Sequence, residues 1–225
     1  MKRTTVLSRA LVSAAALTFV IFALLCLGGS LAQVRADYPK PSPYPRSWEL
    51  DFSYDTPRRI VVQVPGSSIP QPYWYMTYTV TNNTDREQMF LPIFELLTRD
   101  GQVIRSDRNI PAAVFHAIKQ REKKPFLEPY PAISGELRLG EDQARDSVAI
   151  WPEPHAEMGQ FSIFVGGLSG EILALTDTSG QPVRTPDGRP VILRKTLQLN
   201  FLIRGDEVYP GEDEVNENPR EWVMR

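Results

Sequence analysis

The sequence predicts a mainly all-β protein built as a single antiparallel β-sandwich with one short helical insertion. Three observations favour this fold class. About eight short segments have the composition of strands, and residues 48–54 alternate apolar and polar side chains without a break, which is the pattern of a half-buried strand. Turn-forming residues separate most of these segments, and few helical patterns lie between them. All 20 prolines lie after residue 36, which favours turns and sheet edges over long helices.

The first element, residues 1–36, has the composition of an export leader. Lys2, Arg3 and Arg9 precede an 18-residue apolar run over residues 10–27, and small residues follow at cleavage-type spacing up to Ala36. The run is longer than most signal-peptide cores and just long enough to span a bilayer as a helix. Residues 1–36 are therefore a signal peptide or a signal anchor. Both place the body outside the cytoplasm, in the cell envelope, the periplasm or the medium, and an uncleaved leader makes the chain a single-pass membrane protein.

A proline-rich spacer is predicted over residues 37–46, because proline stands at every second position from Pro39 to Pro45. Such a segment prefers the extended polyproline II conformation, at about 3.1 Å per residue. It would lift the domain away from the leader or the membrane. A docking peptide for a proline-recognising partner is the alternative.

Residues 47–205 are predicted to form the β-domain, with the helical insertion at about residues 108–146. The insertion contains a helical stretch over Ala112–Lys124, with Pro111 placed to open it. An Asp-Gly pair at Asp100 predicts a hairpin. The predicted strands are residues 48–54, 58–64, 73–81, 88–97, 103–105, 147–151, 160–165, 171–175 and 191–203.

The C-terminal residues 206–225 contain seven acids and two arginines, which predicts an acidic, disordered tail. The tail ends in an apolar island around Trp222. That island is either a linear motif for a partner, a last strand that docks on the domain, or a frayed end.

One strand carries a resemblance to a known type of domain. Tyr78-Thr79-Val80-Thr81-Asn82-Asn83-Thr84 resembles the Y-x-V-x-N-x-T strand of bacterial exported immunoglobulin-like domains. The resemblance implies an immunoglobulin-like sandwich on an exported protein, and it brings no catalytic residues. The cysteine pair of antibody-type domains is missing, because Cys26 in the leader is the only cysteine.

The net charge of the body narrows the classes of ligand that it could bind. Without the four leader cations, 21 basic and 27 acidic residues remain, which leaves the body with a net charge of −6. That charge argues against nucleic acid or anionic lipid as the main ligand, since both require a basic face. We expect membrane contact only through the N-terminal segment.

Because the body has no cysteine, a hydrophobic core must hold it together without disulfides.

The sequence contains no complete catalytic or metal-binding motif, and we expect no catalytic residue, metal or cofactor. His155-Ala156-Glu157 lacks the cysteine pair of zinc deaminases, and His116, the other histidine, stands alone within the predicted helix. Ser169 is followed two residues later by Glu171 where a hydrolase elbow needs glycine, so its glycine-rich segment predicts a turn. A carboxylate hydrolase remains as a minor hypothesis on Asp146, Glu153 and Glu157.

The leading functional hypothesis is therefore an exported, non-catalytic β-sandwich that binds a protein partner or builds the cell envelope. The alternative is a carbohydrate-binding module, because Tyr73 and Tyr75 lie on the strand face opposite Trp74 and would stack on sugar rings if exposed. The competing interpretation is that both faces of this strand are covered or that the tyrosines form cross-strand pairs. Candidate residues of a ligand or partner surface are thus Tyr73, Tyr75 and Trp222.

Overall fold

The computed structural model describes residues 38–106, 108–154, 158–203 and 215–225. The predicted leader lies outside these residues. Residues Pro39–Arg225 belong to one compact unit. The unit consists mostly of antiparallel strands with few helices, which confirms the all-β prediction.

The strands follow the chain from β1 to β12. They are β1 Asp51–Tyr54, β2 Arg58–Val62, β3 Gln71–Thr81, β4 Gln88–Phe90, β5 Ile93–Leu97, β6 Val103–Arg105, β7 Gly135–Leu137, β8 Arg145–Pro152, β9 Gln160–Gly166, β10 Ile172–Ala174, β11 Ile192–Ile203 and β12 Val215–Met224. Between β6 and β8 lie helix α1 (Ala112–Glu122), the single turn α2 (Tyr130–Ile133) and a 3₁₀ turn at Glu141–Gln143.

The first sheet is built around β3. Residues 73–80 of β3 pair antiparallel with β8 on one edge, while β1 and β2 share the other edge one after the other. The second sheet is built around β11, which pairs with β9 on one edge and β12 on the other. β5 extends this sheet from β9, β6 follows β5, and β10 pairs with the start of β11. β4 and β7 form a separate two-stranded ladder.

The inner faces of the two sheets share one hydrophobic core. β3 alternates along its length, so that every second side chain points to this core. Opposite it, alternate residues of β5, β9 and β11 supply the second layer. The fully buried members include Trp74, Met76, Val80, Trp151, Leu96, Phe161, Ile163, Val165, Leu199 and Phe201.

Helix α1 covers the outer face of the first sheet. Val114 and Ile118 are fully buried and pack in a second cluster with Tyr73, Tyr75 and Ile150 of the sheet. The helix begins after Pro111, as predicted, and ends where Lys123 adopts a left-handed conformation, with φ of 53°. β3 is therefore buried on both of its faces, unlike β9, which is buried only on alternate residues.

The structure corrects two details of the predicted secondary structure. The segment 88–97 is divided into β4 and β5 at Pro92, because proline has no N–H to donate to a ladder. The tail is not disordered over residues 215–224, which form β12 and pair with β11. Val215 and Trp222 pack against the core, and this apolar contact outweighs the acidic composition on which the prediction rested. Residues 206–214 lie outside the described residues.

Candidate functional site

Tyr73 and Tyr75 are not an exposed aromatic pair. Tyr73 is 4% exposed and Tyr75 is 1% exposed, because α1 lies over them. The hydroxyl of Tyr75 donates to Glu122 Oε1 at the end of α1, and Arg58 donates to the same carboxylate. The Tyr73 hydroxyl donates to Gln71 Oε1 at 2.9 Å. Both tyrosines pack against α1, and the Tyr75 hydroxyl also bonds to it. Neither ring can stack on a sugar unless α1 moves away from the sheet.

We expect the free energy of unfolding to fall as the pH rises above about 10, the ordinary tyrosine pKa. Burial and Glu217 raise the pKa of Tyr54 to about 12, and burial and Glu122 raise the pKa of Tyr75 well above its ordinary value. The unfolded chain therefore loses tyrosine protons that the folded chain retains, so alkali favours unfolding. Denaturant titrations across this range should give a shallower decline for Tyr75→Phe than for the wild type. An identical slope in both proteins would contradict the assignment.

The carboxylates of the hydrolase hypothesis are not brought together. Asp146 accepts a hydrogen bond from Thr79 Oγ1 at 2.6 Å, and Glu153 pairs with Arg59 at 2.5 Å. Asp146 and Glu153 stand seven residues apart along β8 and its end, which is about 23 Å of extended chain. A glycosidase pair needs about 5–9.5 Å. Glu157 and His155 lie outside the described residues, and His116 lies on the exposed side of α1.

The glycine-rich segment around Ser169 forms a turn, as predicted. Gly167 has φ of +90°, and a Cβ built on it would lie 2.7 Å from the carbonyl oxygen of Leu91. Glycine is required there both by the conformation and by the close approach. Ser169 Oγ accepts a hydrogen bond from the Glu171 N–H at 3.1 Å, so this serine caps the turn.

The outer face of the second sheet carries a groove with a volume of about 530 Å³, which we call the outer groove. One wall is a row of three apolar side chains from β4 to β5, in which Met89 is 58% exposed, Leu91 57% and Ile93 42%. Trp48 and Phe164 also line the groove. Outward residues of a solvated sheet face are ordinarily polar, so this row departs from the usual pattern.

Sequence reasoning overlooked this row, although the signal was present. Phe90 and Phe94 occupy the inward positions of the segment and are buried. The alternate positions Met89, Leu91 and Ile93 are apolar as well, so that apolar residues occupy both faces. Such a continuous apolar run predicts either a strand covered on both sides or a strand with an exposed apolar face.

Two arginines border the outer groove. Arg225 pairs with Glu95 at 2.7 Å, and its guanidinium carbon lies 4.0 Å from the centre of the Phe164 ring. Arg194 also lines the groove and is exposed. Its side chain makes no ion pair or hydrogen bond within the described part of the chain. The groove therefore combines an apolar wall with one cation that has no ion-pair partner among the described residues.

A buried ion cluster lies on the other side of β11. Lys195, whose side chain is 4% exposed, lies 2.5 Å from Glu49 and 3.4 Å from Glu171, and its Nζ lies 4.9 Å from the Trp222 ring centre. The backbone N–H of Ser42 in the proline-rich segment donates to Glu171 Oε1 at 2.9 Å. Trp222 is thus half-buried against the core and the lysine. The cluster joins the N-terminal segment, β11 and β12.

In the part of the chain that the structure describes, no three His, Cys, Asp or Glu side chains lie close enough together to hold a metal ion. Among the same residues, no helix has the length and apolar composition needed to cross a membrane.

Comparisons with protein-family models, with curated proteins and with solved structures found no match to this chain.

Proposed function

We propose that this chain is an exported, non-catalytic protein with an immunoglobulin-like β-sandwich that binds a partner protein through the outer groove. The observation that carries the proposal is the exposed row of Met89, Leu91 and Ile93, which runs from β4 to β5 beside the sheet that α1 does not cover. Contiguous exposed apolar side chains beside a groove are typical of interaction sites. With the predicted leader, such a partner would lie outside the cytoplasm, in the cell envelope, the periplasm or the medium.

The chemistry of the groove specifies the kind of segment that would bind. Its wall and floor offer apolar contacts from Leu91, Trp48 and Phe164. Arg194 offers a guanidinium that pairs readily with a carboxylate in two-pronged geometry. The occupant is therefore a segment of a partner protein that carries apolar side chains and an acidic residue. Charge complementarity at Arg194 would fix its register, while the apolar wall would supply affinity.

Carbohydrate binding through Tyr73 and Tyr75 is not proposed again, because both side chains are buried. The hydrolase hypothesis is likewise set aside, since Asp146 and Glu153 are bonded to other groups on distant parts of the sheet.

A photo-crosslinking side chain at Met89, compared with one at Ile69, tests the proposal in the cells that make the protein. Ile69 is 68% exposed and lies in the β2–β3 loop, so it serves as a matched exposed apolar site. We expect an adduct from position 89 that is absent from position 69 and that is lost in Arg194→Glu. Equal adducts at both positions would contradict the proposal.

With the crosslinked partner purified, Leu91→Asp should weaken binding by at least about tenfold, the effect expected at a central apolar contact. Because Leu91 is exposed, this variant should unfold at the wild-type temperature within error. Unchanged affinity in Leu91→Asp would place the binding surface elsewhere. A partner that proves to be a glycan would assign the groove to carbohydrate and overturn the protein-binding function.

A further inference from the structure

We propose that the loop after α1 docks the domain on an anionic membrane surface, with the Phe126 ring in the lipid interface. Phe126 is 82% exposed, the largest exposed fraction among the large apolar side chains that the structure describes. It follows Pro125 at the tip of the loop that leaves α1. An aromatic ring in this position contributes little to the protein's own core and can contact an external apolar phase.

The loop holds Phe126 outward through fixed contacts on both sides. Leu127, the next residue, is 1% exposed in the cluster beneath α1. Its backbone N–H donates to the Lys124 carbonyl at 3.2 Å, and Lys119 Nζ donates to the Leu127 carbonyl at 2.9 Å. Lys124 Nζ lies 2.6 Å from Asp55. The ring is thus presented by an ordered turn, and docking would need little additional ordering of the chain.

Basic residues are concentrated around Phe126 in the chain, in contrast to the acidic composition of the body as a whole. Residues 119–128 contain four cations and two acids, which leaves an excess of two positive charges. The acid Glu122 pairs with Arg58, and the acid Glu128 pairs with Arg145. Lys123 is exposed and makes no ion pair or hydrogen bond in the described part of the chain. The four cations are Lys119, Arg121, Lys123 and Lys124.

The combination of cations and an exposed ring selects a membrane over other anionic ligands. Lys and Arg side chains are attracted to anionic headgroups, and an aromatic ring gains free energy in the apolar part of the interface. A soluble anionic polymer would engage the cations but would leave the ring in water. The net negative charge of the body remains compatible with docking, because the contact is confined to one loop. The repulsion between the membrane and more distant acidic residues falls off within a Debye length. This contact is separate from the outer groove and adds to the predicted N-terminal attachment.

Tryptophan fluorescence of the full chain in vesicles tests the inference. In Phe126→Trp, lipids brominated on their acyl chains should quench the indole introduced at position 126 in phosphatidylglycerol vesicles. They should leave it unquenched in vesicles of phosphatidylcholine alone. The wild-type signal, with its own four tryptophans, is subtracted. Added Lys123→Gln should lower the ratio of docked to undocked domains by about fivefold, the effect of one basic residue near such a surface.

Ile69→Trp is the matched control, because Ile69 is 68% exposed beside a proline but has only uncharged neighbours in sequence. Its indole should not be quenched in either kind of vesicle. Equal quenching at positions 69 and 126, or no quenching at position 126 in anionic vesicles, would overturn the inference. Quenching that persists unchanged in neutral vesicles would also overturn it, because the cations would then contribute nothing.

Discussion

Replacement of Lys195 by methionine is expected to lower the free energy of unfolding by about 3–5 kcal/mol, the range found when one member of a buried ion pair is removed. Methionine fits a similar volume, so the loss comes from charge and not from a cavity. The carboxylates of Glu49 and Glu171 would remain close together, and the side chain of Glu171 is only 8% exposed. Equilibrium unfolding in denaturant at neutral pH measures the change.

A matched variant separates the charge effect from loss of packing. In Lys195→Met/Glu49→Gln/Glu171→Gln, no charge remains in the cluster, and most of the lost stability should return. The cation–π contact of Lys195 with Trp222 is absent from both variants, so it cancels in the comparison. If the triple variant is as unstable as Lys195→Met, the cluster stabilises the fold by shape alone and the charge argument is wrong.

The same cluster shows why the C-terminal strand was missed from sequence. Acidic composition predicts disorder for residues 206–225, but the segment 215–224 has long-range partners that composition does not encode. β11 pairs with this segment on both sides of a register shift between Gln198 and Asn200, and Lys195 supplies a cation near the Trp222 ring. Neither partner is near in sequence. The alternative that residues from 221 onward form a last docked strand agrees with the structure.

Local residue pattern was sufficient to predict that β3, β9 and β11 exist, with bounds close to those of the structure. It also places Trp74, Met76 and Val80 on one face of β3, and the structure shows that this face points to the core between the sheets. The burial of Tyr73 and Tyr75 agrees with the competing interpretation that both faces of this strand are covered, but the sequence alone could not decide between the two interpretations, because the exposure depends on where α1 packs. A helix some 40 residues further along the chain decides it, as its length and its apolar side chains at Val114 and Ile118 permit several placements.

The outer groove was missed for a different reason. Its residues were visible in the sequence as a strand with apolar side chains on both faces, but an uncovered second face is a property of the whole fold. Because α1 packs on the first sheet, Met89 and Leu91 stay exposed beside the second. The proposed function therefore depends on an asymmetry between the two sheets that no single segment contains.

The paired tryptophans of the first sheet give the second large effect. Trp74 and Trp151 stand directly opposite each other in the β3–β8 ladder, at 1% and 0% exposure. Trp151→Ala should lower the free energy of unfolding by about 3–5 kcal/mol, because it leaves a large cavity between the sheets. Domains of this size are stabilised by about 5–15 kcal/mol in total, so the variant should be close to unfolding at 37 °C or below.

Trp151→Phe should lower the free energy of unfolding by much less than its lost side-chain volume suggests. The Nε1–H groups of Trp74 and Trp151 are buried, and neither has a hydrogen-bond partner among the described residues. A buried donor without a partner costs about 1–3 kcal/mol, and phenylalanine removes that donor while it keeps an aromatic ring in the core. Val61→Ala, at a side chain that is 51% exposed, is the control and should change stability by about 0.5 kcal/mol or less. Chemical denaturation of the three variants measures the free energy of unfolding of each. Equal losses of that free energy in Trp151→Phe and Trp151→Ala would contradict the prediction that the unpaired indole N–H destabilises the folded protein.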